Sequence, residues 1–358
     1  MADTIDTDYI RQAVEYSDLA ALRVAIFQAC GDTEIAALGP VAQLSPEDRS
    51  RLIERCIELL STDLSSWSLR TPSDAEIYSM LDMVLGKPTE LGDFELRKMV
   101  LSFEDFPGFA EWPTPEIKAP EGFHVAIIGG GFNGIATGVQ LEQLGIDFTV
   151  YERREELGGT WAINRYPDIR VDTLSSSYEF SFEKDYQWDE YFARGPEVRA
   201  YLTHIANKFG VMDHVKHGHD LIEARFNDDT KLWRVTFRLT DGSTESRDVN
   251  AIVSAAGLFA NPSFPNFPGI ENFGGLVIHP TQWPEGIDLS DKRVAVIGNG
   301  STGVQLLGRV TEMSKHVTMF QRTPQWISPR DKYGKHVEPE SRWLINTMPG
   351  YWNWCRIT

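Results

Sequence analysis

Residues 123–134 read Phe-His-Val-Ala-Ile-Ile-Gly-Gly-Gly-Phe-Asn-Gly, a short apolar run that leads directly into a glycine-rich turn. The pattern after it predicts a helix from Ile135 to Leu144, ended by Gly145, and a strand from Ile146 to Tyr151. A strand, a G-x-G-x-x-G turn, a helix and a second strand are what a dinucleotide-binding fold requires in this order. The stretch therefore predicts a parallel α/β sheet with a nucleotide at the helix N-terminus.

Each residue of this first turn has a predicted role in forming the nucleotide site. Gly129 allows the tight turn, Gly131 lets the backbone approach the pyrophosphate, and Gly134 lets the helix pack against the strand. Phe132 belongs to the same turn. Glu152 stands at the tip of the second strand, where it can accept hydrogen bonds from an adenosine ribose. A purely structural glycine turn is the alternative interpretation.

A second glycine-rich turn, residues 298–303, follows another apolar strand and opens a helix predicted from Val304. Here the tip of the second strand carries Gln321-Arg322-Thr323 in place of an acid. An arginine can bind a ribose 2′-phosphate that a carboxylate would repel, so this site is predicted to bind NADP(H) and the first one FAD or NAD. The alternative for Arg322 is a solvated surface charge. The predicted NADP contacts are Gly298, Gly300, Ser301, Thr302, Gly303, Arg322 and Thr323.

Two stretches after the first turn add candidate cofactor contacts. The paired glycines of residues 158–161 (Gly-Gly-Thr-Trp) would let the chain run close against a cofactor, and Trp161 could lie on a flat ring; the alternative is a loop with a buried tryptophan. Residues 166–172 (Tyr-Pro-Asp-Ile-Arg-Val-Asp) follow. Gly159, Thr160 and Trp161 are the candidate cofactor contacts of the first stretch, and Tyr178 and Leu221 are further predicted FAD contacts.

Residues 273–284 lie between the two turns and read Phe-Gly-Gly-Leu-Val-Ile-His-Pro-Thr-Gln-Trp-Pro. A linker with Phe, Gly, His and Trp between two dinucleotide sites suggests an enzyme that passes electrons from one cofactor to another. Before it, residues 221–250 are predicted to be β-structure with a hairpin at Asp241-Gly242, and residues 251–257 to be an apolar strand.

The composition of the 358-residue chain excludes several classes of protein. A net charge of -18 argues against nucleic acid and against an anionic membrane as partners. Three widely separated cysteines offer neither a metal or redox pair nor a disulfide framework, so we expect a cytoplasmic protein without a bound metal. The polar, acidic N-terminus is not a signal peptide.

The domain organisation follows from these patterns. Residues 1–112 are predicted to form an all-α N-terminal domain for packing or homodimerisation, with helix starts at Ser45-Pro46 and at the Ser73/Glu76 capping box. A proline-rich linker at residues 113–121 precedes two Rossmann-like dinucleotide-binding domains in an overall α/β chain. These are the FAD-binding domain at residues 122–288 and the NADP-binding domain at residues 289–358. Both are expected to be incomplete, as the front part of a longer protein.

Several motifs in the right order resemble those of the type I Baeyer–Villiger monooxygenases, within the flavin-containing monooxygenase superfamily. The match covers residues 122–335, and the helical extension resembles the 4-hydroxyacetophenone monooxygenase subgroup. At Asp168 the sequence departs from the family, which has Gly or Met there. The pattern F-x-G-x-x-x-H-x-x-x-W-P is met at Phe273, Gly275, His279, Trp283 and Pro284; G-G-x-W-x-x-x-x-Y-P-G-x-x-x-D is met at Gly158, Gly159, Trp161, Tyr166, Pro167 and Asp172.

The resemblance implies that NADPH reduces FAD, that a C4a-peroxyflavin forms with O2, and that a ketone, with an aryl ketone favoured, becomes an ester or lactone. It also implies that Arg322 and Thr323 grip the NADP phosphate. Asp172 would lie near the flavin, as a further FAD contact, and would hold a catalytic arginine expected beyond Thr358. His279 and Trp283 are the other catalytic candidates, and His279 has a structural or conformational role on a linker. The alternatives are an N- or S-oxygenating monooxygenase, which usually has Tyr or Phe in place of Trp283, and an inactive nucleotide-binding fragment.

Overall fold

The structure, a computed structural model, describes residues 6–62, 64–68, 70–184, 186–259 and 261–358. The chain divides into two compact units. The helical unit comprises Met1–Phe109, Thr173–Tyr191 and Gly334–Thr358. The sheet unit comprises Ala110–Asp172 and Phe192–Tyr333. The chain is a mixed α/β protein with parallel sheets.

The regular elements are numbered here in chain order. The α-helices are α1 Thr7–Tyr16, α2 Leu19–Cys30, α3 Thr33–Ala37, α4 Pro46–Leu60, α5 Asp74–Leu85, α6 Leu91–Leu101, α7 Phe132–Leu144, α8 Thr160–Ile163, α9 Gly195–Lys208, α10 Ser301–Met313, α11 Pro339–Thr347 and α12 Tyr351–Cys355. The strands are β1 His124–Ile128, β2 Asp147–Tyr151, β3 Val215–Lys216, β4 Asp220–Asn227, β5 Leu232–Arg238, β6 Thr244–Val249, β7 Ala251–Ser254, β8 Arg293–Ile297 and β9 His316–Phe320. Short 3-10 helices are Val41–Gln43, Leu64–Ser66, Ser175–Ser177, Val211–His214, Ile270–Asn272 and Pro280–Gln282.

Both predicted helix starts in the helical unit are confirmed. The Ser45 hydroxyl accepts a hydrogen bond from the Asp48 N–H (3.1 Å), and Pro46 is the first residue of α4. At the start of α5, the Ser73 hydroxyl accepts from the Glu76 N–H (3.4 Å) and the Glu76 carboxylate accepts from the Ser73 N–H (2.8 Å). These bonds satisfy backbone donors that a helix leaves unpaired at its N-terminus.

The core of the helical unit includes residues near the end of the chain. Trp354 is fully buried, and its Nε1–H donates to Gln28 Oε1 (2.8 Å), while Asn353 Nδ2 donates to the Leu101 carbonyl (2.7 Å). The boundary drawn from the sequence assigned residues 334–358 to the NADP-binding domain. The structure instead groups them with the helices, because their large aromatic side chains fill that core.

A buried arginine joins two helices of this unit. The guanidinium of Arg23, on α2, donates to the carbonyls of Ile35 (2.8 Å), Ala36 (3.1 Å), Gly39 (2.7 Å) and also Leu38. These carbonyls lie in and just after α3, where a helix end leaves acceptors unpaired. Arg23 therefore compensates its own burial by satisfying a helix C-terminus.

A buried carboxylate also holds segments of the helical unit together. Glu179 Oε2 accepts from Trp188 Nε1–H (2.7 Å), and Oε1 accepts from Trp352 Nε1–H (2.8 Å). Arg356 lies 3.5 Å from the same carboxylate, and its guanidinium lies 4.8 Å from the centre of the Trp352 ring. Burial raises the pKa of Glu179 to about 8, although these partners oppose the rise, and the buried Glu183 nearby adds to it.

In the sheet unit, a four-stranded parallel sheet has the order β3-β2-β1-β7. The predicted strand–turn–helix–strand unit is confirmed, but α7 begins three residues before the predicted start at Ile135 because Gly131 already caps it. The predicted strand after residue 250 is confirmed as β7, beside β1. Helix α10 likewise starts at Ser301, before the predicted Val304, because Gly300 is its N-cap.

The sheet unit contains two further sheets. Strands β4, β5 and β6 form an antiparallel sheet, and the predicted hairpin at Asp241-Gly242 joins β5 to β6 with Gly242 at φ +85°. Apolar side chains of this sheet pack on Ala126 and Tyr151 of the parallel sheet, where the Tyr151 ring stacks on Phe237 at 4.1 Å. Strands β8 and β9 form a two-stranded parallel sheet. Among the described residues, no helix combines the length and the apolar character needed to cross a bilayer.

The raised pKa of Glu179 predicts a pH-dependent stability of the helical unit. Because the folded-state pKa of about 8 exceeds the ordinary carboxyl value of 4.5, the folded state keeps a proton that the unfolded state releases between these values. The free energy of unfolding should therefore fall as the pH rises through this window. Glu179→Gln should flatten the dependence in chemical denaturation of the whole chain.

The control for this prediction is Glu58→Gln, at an exposed carboxylate of α4. This variant should keep the wild-type decrease in stability with pH. Equal pH slopes for the wild type and Glu179→Gln would contradict the prediction, because they would mean that the buried carboxyl does not titrate differently on unfolding.

Candidate functional site

The first glycine turn brings a helix end against a strand end. Gly129 has φ +108°, and a Cβ on Gly134 would lie only 1.9 Å from the Gly129 carbonyl oxygen. Any larger residue at position 134 would push α7 away from β1. The N-cap of α7 is Gly131, and within the described chain no side chain caps this helix end. The N–H groups of the first turn of α7 are therefore available to an anion such as a phosphate.

Glu152 lies directly after β2 and is 3% exposed. Its Oε2 accepts from the Gly130 N–H (2.8 Å), and its Oε1 accepts from the Arg154 N–H (3.0 Å). The carboxylate thus holds the glycine turn in shape, a role that the sequence interpretation did not include. Because each carboxylate oxygen has a second lone pair, Glu152 can still accept from a ribose hydroxyl.

The paired glycines fold back onto the first turn. The Gly158 N–H donates to the Gly130 carbonyl (2.9 Å), and a Cβ on Gly159 would lie 3.0 Å from the Cα of Gly131. The sequence interpretation placed this close approach against a cofactor, and in the structure these glycines approach the turn backbone itself. Helix α8 then starts at the exposed Thr160, and Trp161 is 7% exposed, so its ring is largely inside the protein.

The second turn repeats the geometry of the first. Gly298 has φ +101°, and a Cβ on Gly303 would lie 2.3 Å from the Gly298 carbonyl oxygen. The N-cap of α10 is Gly300, again without a side-chain cap in the described part of the chain. Ser301 and Thr302 are the first two residues of α10, so their backbone N–H groups belong to its open end.

The residues at the strand tips differ between the two turns. Glu152 is the residue after β2, and Gln321 is the residue after β9, so a neutral amide occupies the position of the acid. Asn299 Nδ2 donates to Gln321 Oε1 (2.8 Å) and to the Thr323 carbonyl (2.7 Å), which ties residues 321–323 to the glycine turn. Arg322 is exposed beside this brace. Asn299 is a site residue that the sequence interpretation did not single out.

The segment Tyr166–Asp172 contains a left-handed residue and a buried cation. Asp168 has φ +64°, the conformation that glycine adopts most easily, which explains why the sequence departs from a family glycine here without losing the turn. The Asp168 carboxylate pairs with Arg170, which is 4% exposed and lies 4.9 Å from the centre of the Tyr333 ring. Asp172 is exposed at the end of the segment.

Gln305, on α10, binds this segment and was missed in the sequence interpretation. Its Oε1 accepts from the Tyr166 hydroxyl (2.9 Å), and its Nε2 donates to the Arg170 carbonyl (2.9 Å). Burial raises the pKa of Tyr166; the Thr302 side chain opposes the rise, and the Asp172 charge adds to it. The only sequence signal for Gln305 was one polar residue between the apolar Val304 and Leu306.

The linker at residues 273–284 has a local structure of its own. The Phe273 ring lies over Gly275, with ring carbons 2.6 Å from the position of a Cβ, which accounts for the glycine in the F-x-G pattern. His279 Nδ1 accepts from the Thr281 N–H (3.3 Å) and lies 2.8 Å from the Thr281 hydroxyl. His279 thus caps the short helix that leads to the half-buried Trp283, an arrangement that suits a structural role.

Two of the predicted FAD contacts, Leu221 and Tyr178, do not lie beside the first glycine turn in sequence, and each has a different local environment. Leu221, on β4, pairs in register with Phe237 and packs against the core between the parallel and antiparallel sheets. Tyr178 belongs to the helical unit, directly after the short helix Ser175–Ser177.

A comparison with protein families decides where the chain belongs. The flavin-binding monooxygenase-like family matches residues 122–338, which include both glycine turns, the Tyr166–Asp172 segment and the linker. The chain belongs to the flavin-binding monooxygenase-like family.

Relatives of this flavin-binding monooxygenase-like protein include named enzymes and solved structures. It is 37% identical over 219 residues to a Baeyer-Villiger monooxygenase of Pseudomonas aeruginosa, covering 61% of this chain and 40% of the relative. The open crystal structure of cyclohexanone monooxygenase matches with a TM-score of 0.57 and 35% identity over 63% of this chain and 44% of that one. A structure of OTEMO in complex with FAD and NADP matches with a TM-score of 0.57 and 33% identity, over 64% of this chain and 44% of that one. The chain spans about two fifths of the length of the curated relatives it matches.

The left-handed conformation of Asp168 gives a testable prediction for this flavin-binding monooxygenase-like protein. Asp168→Gly and Asp168→Ala both remove the carboxylate that pairs with Arg170, but only glycine adopts the observed φ without strain. Denaturant unfolding should find the alanine variant less stable than the glycine variant by about 1 kcal/mol. Equal stability of the two variants would contradict the prediction.

Proposed function

We propose that this protein is a flavin-dependent Baeyer–Villiger monooxygenase. The reaction is ketone plus O2, NADPH and a proton, giving an ester or lactone, water and NADP⁺. The observation that carries the proposal is the pair of glycine turns with different strand tips, an acid after the first strand pair and Gln321 followed by the exposed Arg322 after the second. Two such sites suit one cofactor with a free ribose and one with a 2′-phosphate. The W-P end of the linker and the named relatives support ketone oxygenation.

We propose that FAD binds at the first turn. The open N-terminus of α7 suits its pyrophosphate, and the buried Glu152 suits its ribose. The bound cofactors supply the redox chemistry, hydride from NADPH and O2 activation at the flavin. The residues proposed to contact FAD are Gly129, Gly131, Phe132, Gly134, Glu152, Gly159, Thr160, Trp161, Asp172, Tyr178 and Leu221.

NADPH is proposed to bind at the second turn, where the α10 N-terminus takes its pyrophosphate and Arg322 its 2′-phosphate. The Asn299 brace holds the backbone on either side of Arg322 in place. The OTEMO structure with FAD and NADP supports a pair of such sites. The residues proposed to contact NADP are Gly298, Gly300, Ser301, Thr302, Gly303, Arg322 and Thr323.

The polypeptide is proposed to orient the reactants and exclude water. Asp172 is exposed, so its carboxylate can hold a catalytic arginine, which we expect downstream of Thr358. His279 keeps the linker in shape through Thr281, and Trp283 is the residue we propose to favour ketone over heteroatom oxygenation.

The active enzyme is proposed to bury apolar surface that is open in these 358 residues. Ile297 is 61% exposed, Phe320 is 56% exposed and Trp326 is fully exposed, all in or beside the β8–β9 sheet. Since exposed apolar surface of this kind marks contacts with other protein, we propose that these side chains are covered in the active enzyme. The proposed domains are the helical residues 1–112 together with 334–358, the linker 113–121, the FAD-binding residues 122–288 and the NADP-binding residues 289–333.

The helical N-terminal region supports a more specific proposal. An α-helical extension before the first glycine turn suits the 4-hydroxyacetophenone monooxygenase subgroup, so the proposed substrate is an aryl ketone. The proposed location is the cytoplasm, because the three cysteines offer no disulfide framework. Leu91 and Leu96 on α6 are 85% and 58% exposed, and we propose that a homodimer through the helical region buries them.

The function is tested with the purified full-length protein, FAD and a panel of aryl ketones, thioethers and amines. We expect NADPH consumption in the presence of an aryl ketone, with the matching ester detected by chromatography. The 358-residue chain alone should bind flavin poorly and turn over little ketone. Oxidation of thioethers or amines without ester from any ketone would contradict the proposal and favour the heteroatom-oxygenating alternative.

The assignment of the second turn is tested at Arg322. Arg322→Ala should raise the KM for NADPH by about tenfold or more and leave the KM for NADH nearly unchanged, because only NADPH carries the 2′-phosphate. Gln321→Glu should add a charge that repels this phosphate and shift the preference in the same direction. Arg330→Ala, at another exposed cation of the same stretch, is the control. An unchanged preference in Arg322→Ala would mean that Arg322 is a solvated surface charge.

A further inference from the structure

We propose that Gln305 is a positioning residue that couples nucleotide binding at the second turn to the placement of the Tyr166–Asp172 segment. The proposal rests on the proposed function, in which this segment serves the flavin and the second turn serves NADPH. Gln305 does not belong to either glycine turn, and its side chain reaches from α10 to the segment.

The Gln305 amide is fixed in one orientation by its partners. Its Nε2 donates to the Arg170 carbonyl (2.9 Å), and its Oε1 accepts from the Tyr166 hydroxyl (2.9 Å) and lies 3.4 Å from the donating Arg170 N–H. One amide thus pairs with both the N–H and the C=O of a single residue, as a neighbouring strand would. Rotating the amide by half a turn would place its NH2 group against the Arg170 N–H, so the arrangement is specific.

Gln305 lies on the face of α10 that also carries a nucleotide-contact candidate. Thr302 and Gln305 are three residues apart, which places them on the same side of the helix. Gln305 Oε1 accepts a hydrogen bond from the Tyr166 hydroxyl (2.9 Å), and the Thr302 side chain opposes the rise that burial causes in the pKa of Tyr166. Because the nucleotide phosphates are proposed to bind the N–H groups at the start of α10, a shift of this helix end is transmitted directly to the Tyr166 hydroxyl.

The segment is held from its other side as well. The Val171 N–H donates to the Ala193 carbonyl (3.0 Å), and Arg170 forms a β-bridge with Arg194. The backbone at residues 170–171 therefore lies between Gln305 and residues 193–194, directly before Asp172. Loss of the Gln305 contact would leave that backbone held on one side, and the position of the Asp172 carboxylate would become less defined.

If Gln305 had a purely structural role, replacing it would change the stability of the protein and leave the linkage between the two sites unchanged. The distinguishing property is linkage, because a coupling residue changes how binding at one site affects the other site. The readout is therefore the perturbation of the flavin absorbance spectrum when NADP⁺ binds, together with the NADP⁺ dissociation constant. Neither requires a ketone.

The test uses the full-length holoenzyme and the variants Gln305→Leu, Gln305→Glu, Tyr166→Phe and the double variant Gln305→Leu/Tyr166→Phe. Gln305→Leu should keep its FAD content, weaken NADP⁺ binding by about five- to tenfold and reduce the spectral perturbation. Gln305→Glu keeps an acceptor for Tyr166 but loses the donor to Arg170, so its effect should be smaller. The double variant should be no worse than Gln305→Leu, because the two residues share one contact. Gln143→Leu, at an exposed glutamine of α7, the helix that follows the first glycine turn, is the matched control and should behave as wild type.

Wild-type NADP⁺ affinity and an unchanged flavin perturbation in Gln305→Leu would overturn the proposal. If Gln305→Leu does not fold, wild-type behaviour of both Gln305→Glu and Tyr166→Phe would overturn it equally. A wild-type protein that makes no ester would refute the proposed function. The coupling would still be supported if NADP⁺ perturbed the flavin and Gln305→Leu abolished that effect.

Discussion

The sheet unit depends on two glycines at which the backbone leaves no room for a side chain. At Gly134 and at Gly303 the helix backbone comes so near the preceding turn that a Cβ would lie 1.9 Å and 2.3 Å from the carbonyl oxygens of Gly129 and Gly298. Because the helix backbone lies so close to the turn, the open N-terminus of each helix is held beside its glycine turn, and the other residues of each site surround this helix end. Glu152 braces the first turn, and Asn299 braces the second. The opposite chemistry of the two strand tips then distinguishes the two sites.

Local pattern predicted most of the regular structure. The glycine turns, the strand–helix–strand units, the Ser73/Glu76 capping box and the Asp241-Gly242 hairpin all depend on residues close in sequence, and the structure has each of them. The turn at Asp168 was harder to judge because it departs from a family glycine. A single φ of +64° shows that aspartate adopts the conformation required there.

Contacts between distant parts of the sequence could not be predicted in the same way. Trp354 lies in a core that includes residues more than three hundred positions earlier, and it donates a hydrogen bond to Gln28. A composition shift or a proline does not signal such a return. The contacts of Glu179 also join distant parts of the sequence, since its partners Trp352 and Arg356 lie near the end of the chain. Gln305 meets Tyr166 across 139 positions. Side chains of this kind decide how motifs are placed relative to each other, whereas the motifs themselves decide which cofactor each one suits.

The central claim is that one turn holds a flavin and the other holds the NADPH that reduces it. The most direct measurement mixes the purified full-length protein, under anaerobic conditions, with NADPH or NADH and follows the flavin absorbance in a stopped-flow instrument. The account predicts that flavin copurifies or binds stoichiometrically, and that NADPH bleaches it much faster than NADH. A protein that binds no flavin, or one that NADH reduces as fast as NADPH, would contradict the account.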